Sequence, residues 1–213
     1  MILMNDFKAE SEELSNSMLM AAKRVINSGW FILGKELQNF EKEWAKICGV
    51  SNTIGVGNGM DAIEITLRSL GVGPGDEVIT TPMSAFATIL AIHRAGATPV
   101  LADIELETAL LSIDSVKRCI SKKTKAIILV HLYGQLSNMN NWVDFCNSEN
   151  IFLIEDCAQA HLAVSNKKCA GSFGIAGAYS FYPTKNLSAL GDAGAIITND
   201  ETITSKAIKI RNY

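Results

Sequence analysis

The sequence has no CxxC pair among its five cysteines, no excess of positive charge, and no apolar run long enough to be a leader or a membrane span. Each absence removes a class of function. A formal net charge of −3, with lysines scattered rather than striped, leaves no electrostatic footprint for nucleic acid. The N-terminal stretch "MILMNDFKAESEEL" turns acidic before a signal-peptide core can form, and His93 and Arg94 interrupt the apolar run that starts at Ala85. A soluble, unexported chain with no membrane partner is expected. Cysteines at 48, 119, 146, 157 and 169, odd in number, predict reduced thiols in a cytoplasm. Buried free thiols are one reading, and metal ligation by Cys157, Cys169 and His161 is the other. No repeat, low-complexity tract or linker divides the 213 residues, so one compact unit is expected.

What is present is an alternation of two periodicities. Residues 10–27 and 35–48 carry helical spacing, punctuated by Gly29 and Gly34. Short apolar runs then predict strands at 52–56, 77–81, 98–103, 125–130, 151–156, 178–182 and 195–198. Helix-like segments near 60–70, 85–95, 113–120, 139–149 and 201–210 separate most of them. Near-continuous apolar strands alternating with helices predict an α/β, three-layer fold with a mostly parallel sheet covered on both faces. Ligands of such sheets gather beyond the carboxyl ends of the strands.

Three of those ends carry chemistry. After strand 52–56 comes "GNGMD", a glycine turn opening a helix, whose free backbone N–H groups and positive dipole end suit a phosphate. A dinucleotide fingerprint would need glycine where Met60 stands, and a plain tight turn is the simpler alternative. Strand 151–156 ends in "IEDCAQAH"; only one of its two acids can face a site, and a buried Asp156 needs a cationic partner unless it merely caps the next turn. Strand 178–182 places Ser180 on one face with Tyr182 and leads to Lys185, which is either a surface lysine or a desolvated nucleophilic amine. A phosphate cradle, an acid seeking a buried cation and a desolvated amine are together what pyridoxal 5′-phosphate requires.

The segments "GNGMDAI", "GPGDEVI", "EDCAQAH", "SFYPTKNLSALGDAGA" and the terminal "RNY" resemble the DegT/DnrJ/EryC1/StrS sugar aminotransferases, from "SGWFILGKELQNFE" to the last residue. The resemblance implies the large domain of the fold-type-I transferases, with N-terminal helices in 1–50 and the α/β core in 51–213. It implies a homodimer with shared active sites. It implies transfer of an amino group from an amino acid, glutamate by expectation, to a nucleotide-linked keto-deoxysugar for surface polysaccharide, with pyridoxamine phosphate as the second cofactor form.

Carried over by motif, Lys185 is the lysine that bonds the cofactor and Asp156 the partner of its pyridine nitrogen. Gln159 approaches the 3′-oxygen. Gly59 and Met60, through backbone amides, and Ser180 hold the phosphate. Phe86 covers the ring face, its alternative being a core phenylalanine. Asn212 reaches the phosphate of the neighbouring subunit. Met60 stands where threonine is common, Ala193 where glycine is usual, and Leu162 follows His161 where glycine is frequent. His93 and His131 have no evident carboxylate partner in the sequence and read as structural.

"SFYPTKNL…GDAGA" looks closer to members that aminate at C3, with a dTDP-3-keto-6-deoxyhexose as substrate, than to C4 enzymes with a "GEGG" loop. A dehydratase of the same family would carry histidine at 185 instead of lysine. Family members continue beyond "RNY" into a smaller C-terminal domain, which implies that this chain holds the cofactor domain alone. The alternatives are therefore a non-catalytic cofactor-binding remnant, a subunit of a split enzyme, or a 4-keto-sugar aminotransferase. Exposed apolar surface is expected where that further domain would pack.

Overall fold

The computed structural model describes residues 5–7 and 11–212. Residue 10 of the first predicted helix and Tyr213 of "RNY" lie outside the described residues. Two helices, α1 (Glu12–Ser28) and α2 (Lys35–Cys48), precede the α/β core. Both end on a glycine in the left-handed region, Gly29 at φ 65° and Gly49 at φ 70°, where a side chain would be strained. The strands are β1 (Asn52–Val56), β2 (Glu77–Thr80), β3 (Thr98–Leu101), β4 (Thr124–Val130), β5 (Phe152–Asp156), β6 (Val164–Ser165), β7 (Lys168–Cys169), β8 (Ala176–Ser180) and β9 (Gly194–Thr198). Between them run α3 (Gly59–Ser69), α4 (Phe86–Arg94), α5 (Ile113–Cys119) and α6 (Met139–Glu149), with α7 (Glu201–Ile210) at the end.

Seven strands form one sheet in the order β1-β9-β8-β5-β4-β2-β3. Only β9 runs against the rest, pairing antiparallel with both β1 and β8, so the sheet is mostly parallel, as expected. The two-residue period divides its core in two. In β4, Ile127 and Leu129 pack on α5 and α6 residues such as Val116, Met139 and Trp142. Ala126, Ile128 and Val130 face α3, α4 and α7 residues such as Leu67, Ile92 and Ala207. Burying both faces of a strand is why these segments read as unbroken apolar runs.

Two features differ from the sequence reading, and a third lay outside it. The strand expected at 178–182 spans 176–180; Phe181 still donates from its N–H to Ala193 O at 2.7 Å, and its ring packs on Trp44 and Phe40. A short antiparallel hairpin, β6 with β7, was not anticipated; its two turn residues, Asn166 and Lys167, have φ of 50° and 65°, and the turn lacks the glycine that announces such hairpins. Finally, α1 has no buried residue, and Trp30, Phe31 and Ile32 after it are exposed. Among the described residues no helix is long and apolar enough to cross a membrane.

Candidate active site

Because six strands share one direction, Val56, Ser180 and Asp156 end at the same edge of the sheet. Gly194, the first residue of β9, pairs there with both Val56 and Ser180. It must lack a side chain, since a Cβ on it would lie 2.3 Å from the Asn58 backbone. The three chemical ends of the sequence reading are thereby drawn together.

The turn after β1 is set by Asn58, which caps α3 by accepting from the Asp61 N–H at 2.8 Å and donates to the Asp61 carboxylate at 3.1 Å. The first intrahelical bond runs from Ala62 N–H to Asn58 O, so the amides of Gly59 and Met60 precede it. Gly59 faces Ser180: a Cβ built on Gly59 would lie 2.7 Å from the serine Cβ. Backbone amides, a helix N-terminus and a hydroxyl therefore meet across a gap that only glycine leaves open.

Asp156 closes β5 and is 6% exposed. Its Oδ2 accepts from the Thr88 hydroxyl at 2.8 Å and its Oδ1 from the Ala158 N–H at 3.1 Å. Burial pushes its pKa up, while the Thr88 and Ala158 bonds and the charges of Lys185 and His131 pull it down. Lys185 is half-buried at the turn after β8, its N–H donating to Tyr182 O at 2.8 Å. Asp156, Lys185 and Gln159 line one cleft, together with Ser84, Ala85 and His131. Gln159 is oriented by the Tyr133 N–H, which donates to Oε1 at 2.9 Å and leaves Nε2 as the free donor.

Phe86 and Asn212 are not among the residues that line this cleft. Phe86 begins α4 directly after the cleft residues Ser84 and Ala85 and is 71% exposed, so it is not the core phenylalanine of the alternative reading. Asn212 follows α7 outside the cleft, next to Arg211, whose guanidinium pairs with Glu41 at 2.5 Å and donates to Gly55 O. The metal alternative also dissolves. His161 donates from Nε2 to Ser180 O at 2.8 Å, Cys169 lies against the Tyr179 hydroxyl, and the ligand-like atoms that do converge are those of His131, Glu155 and Cys157. Within that group the Glu155 carboxylate is fully engaged, while His131 Nδ1 has no partner among the described residues. Glu155, fully buried on the opposite strand face from Asp156, accepts from His131 and from the N–H groups of Gly171, Phe173 and Gly174, all within 2.8 Å. His131 thus has a carboxylate partner that sequence spacing hid.

Sequence reasoning missed Thr88 and Ser84. The one available signal was a hydroxyl pair spaced i,i+4 at a helix start.

The donor set fits pyridoxal 5′-phosphate: an anion cradle a Cβ would fill, a buried carboxylate held above its ordinary range, and an amine in the same cleft. Comparison with known proteins agrees. The chain is 45% identical over 208 residues to a pleiotropic regulatory protein of Geobacillus stearothermophilus, covering 98% of this chain and 56% of that one. It is 43% identical over 213 residues to the dTDP-3-amino-3,6-dideoxy-alpha-D-galactopyranose transaminase of Aneurinibacillus thermoaerophilus, covering all of this chain and 59% of the relative. The crystal structure of S. venezuelae DesV in complex with a ketimine intermediate superposes with a TM-score of 0.94 at 39% identity, over 98% of this chain and 56% of the other. The chain thus spans little more than half the length of these proteins. With the family model matching residues 12–213, the chain belongs to the DegT/DnrJ/EryC1/StrS aminotransferase family.

Proposed function

We propose that the protein transfers an amino group from an amino acid, glutamate in the first instance, to a nucleotide-linked keto-deoxysugar in the cytoplasm. The observation that carries this is the shared cleft of Lys185 and Asp156, with the Gly59–Ser180 gap at the same sheet edge. When bound, pyridoxal 5′-phosphate supplies an electron sink for the substrate carbon that loses a proton.

Each residue then has a task. With the cofactor in this cleft, Lys185 Nζ would be the amine that holds it and, when free, the base that carries the proton removed from the substrate carbon. Asp156 keeps a proton on the pyridine nitrogen. Gln159 Nε2 donates to the 3′-oxygen. The amides of Gly59 and Met60 and the Ser180 hydroxyl bind the phosphate. The exposed ring of Phe86, at the start of α4 beside the cleft residues Ser84 and Ala85, would cover the face of the pyridine ring.

The amination is proposed at C3 of a dTDP-linked 6-deoxyhexose. The name of the Aneurinibacillus relative, a 3-amino sugar transaminase, supports this position. A homodimer completes the proposal: the apolar face of Trp30, Phe31 and Ile32 offers surface for a second chain, and Asn212 lies outside its own cleft, available to the partner's phosphate.

Borohydride reduction of the cofactor-loaded protein, followed by peptide mapping, tests the core of the reading: the reduced adduct is expected on Lys185. An adduct on any other lysine overturns it. Assay of dTDP-3-keto and UDP-4-keto sugars side by side with glutamate tests the substrate, and exclusive use of the 4-keto sugar overturns the C3 assignment.

A further inference from the structure

In α3 the buried Thr66 makes the bond a helical threonine ordinarily makes, from its hydroxyl to the carbonyl four residues back, Ala62 O, at 2.7 Å. Thr88, equally buried in the first turn of α4, does not. Its hydroxyl donates to Asp156 Oδ2 at 2.8 Å, and four residues back it meets a side chain, Ser84 Oγ, at 2.7 Å. An ionised carboxylate only accepts, so the single Thr88 proton is spent on Asp156. Ser84 must therefore donate to Thr88, and the direction of the chain is fixed: Ser84 hydroxyl to Thr88 hydroxyl to carboxylate. No capping duty competes, because the α4 N-cap is Ala85, which has no side-chain bond to offer.

We propose that Thr88, oriented by Ser84, is a positioning residue that aims Asp156 and keeps it ionised as the partner of the cofactor's pyridine nitrogen. This rests on the reading given under Proposed function. Among the described residues two donors hold the carboxylate, one on each oxygen: Thr88 from α4 on Oδ2 and the Ala158 N–H from the following turn on Oδ1. The charged or titratable groups around it are Lys185 beyond β8, His131 at the end of β4, and Cys157 on its own strand. Lys185 leaves the aspartate's company whenever its amine is engaged elsewhere, whereas Thr88 is fixed by the helix. The hydroxyl chain is thus, with the Ala158 N–H, a constant opponent of the burial that favours a neutral acid.

Thr88→Val, Thr88→Ser and Ser84→Ala in the intact protein test this. The first readout needs no cofactor: thermal unfolding as a function of pH. Burial raises the folded pKa of Asp156 above its unfolded value, so the ionised acid costs stability, and the cost appears as pH rises through that window. Loss of the Thr88 donor raises the folded pKa further. The Tm deficit of T88V against wild type is therefore expected to be small near about pH 4 and to widen by about 3 °C toward about pH 8. T88S recovers it and S84A lies between. A simple packing defect would lower Tm equally at every pH. A deficit flat in pH, or a T88S variant no better than T88V, overturns the proposal; should T88V fail to fold, a flat S84A deficit does the same.

The second readout is spectroscopic titration with pyridoxal 5′-phosphate, where T88V is expected to bind roughly tenfold more weakly, the loss of one bond to a charged group. Unchanged affinity in T88V overturns the role. If reduction leaves wild-type Lys185 unlabelled, the functional reading and this role fall together. A labelled Lys185 with a pH-independent deficit removes this role alone.

Discussion

Gly59 and Ser180, 121 residues apart in sequence, approach so closely that a Cβ on the glycine would stand 2.7 Å from that of the serine. That is well inside carbon–carbon contact, and the obstructing atoms sit on a buried strand end that cannot swing aside. Gly59→Ala is therefore expected to push the start of α3 off β8 and spoil the anion cradle. Alanine suits a first helical turn, so the fold should survive. The expected signature is selective: affinity for pyridoxal 5′-phosphate falls about tenfold or more, the worth of a helix-terminus anion site, while affinity for pyridoxal, which lacks the phosphate, stays the same. Equal loss for both ligands would place the phosphate elsewhere.

Asp156 sets function against stability. With its folded pKa raised by burial, the ionised acid costs stability above the ordinary aspartate range, and protonation at low pH relieves the cost. Asp156→Asn removes the titration; its Oδ1 can still accept from Ala158, and its Nδ2 can donate to the Thr88 oxygen. The cofactor-free variant should thus gain stability over wild type as pH rises. Its transamination half-reaction should fall by roughly 10²-fold or more, because an amide cannot hold the pyridine nitrogen protonated. Denaturant titrations at two pH values and single-turnover absorbance measure the two effects.

Much of this was legible in the sequence, and the boundary of what was not is physical. Strand positions came from unbroken apolar runs, which both-face burial enforces locally. Lys185 and Asp156 stood out because each follows or ends a strand with chemistry of its own, Gln159 came from the family resemblance, and the structure lines one cleft with all three. Whether Phe86 lies in the core or at the surface was not legible, because the turn into α4 is extended through Ala85 and side-chain direction there depends on backbone angles that no periodicity encodes. The Glu155–His131 pair and the Thr88–Asp156 bond join residues 24 and 68 positions apart, set by which strands are neighbours. Sheet order is a tertiary fact. The β6–β7 hairpin escaped notice for a different reason: two non-glycine residues adopt its positive-φ turn.

Glu155 is the other half of the "ED" dipeptide and has a structural task. One carboxylate satisfies three backbone donors, Gly171, Phe173 and Gly174, in addition to His131. Glu155→Gln replaces an accepting oxygen by an amide that donates, leaving buried N–H groups facing a donor. A loss of about 3 kcal/mol in unfolding free energy is expected, the cost of one or two stranded buried donors. Hydrogen exchange should quicken at residues 171–174 before it changes in β4. Uniform exchange across the sheet would mean that the carboxylate does not anchor this loop.

His161 provides a pH dependence of the opposite sign to that of Asp156. It donates from Nε2 to the carbonyl of Ser180 while its ring packs against Trp44, Tyr179 and Phe181, and burial, aided by the charge of Lys185, lowers its pKa despite that hydrogen bond. A histidine whose folded pKa lies below its unfolded value binds its proton more readily in the unfolded chain. Stability from this group is complete above the unfolded pKa of about 6.5 and is lost as pH falls through it toward the folded value. His161→Gln keeps a donor for the Ser180 carbonyl and removes the titration. Between about pH 7 and about pH 5 the wild type is therefore expected to lose stability relative to the glutamine variant. Because Asp156 is common to both proteins, subtracting their denaturation curves isolates the histidine. An identical pH slope in the two would show that the imidazole is not buried against the strand end that carries Ser180.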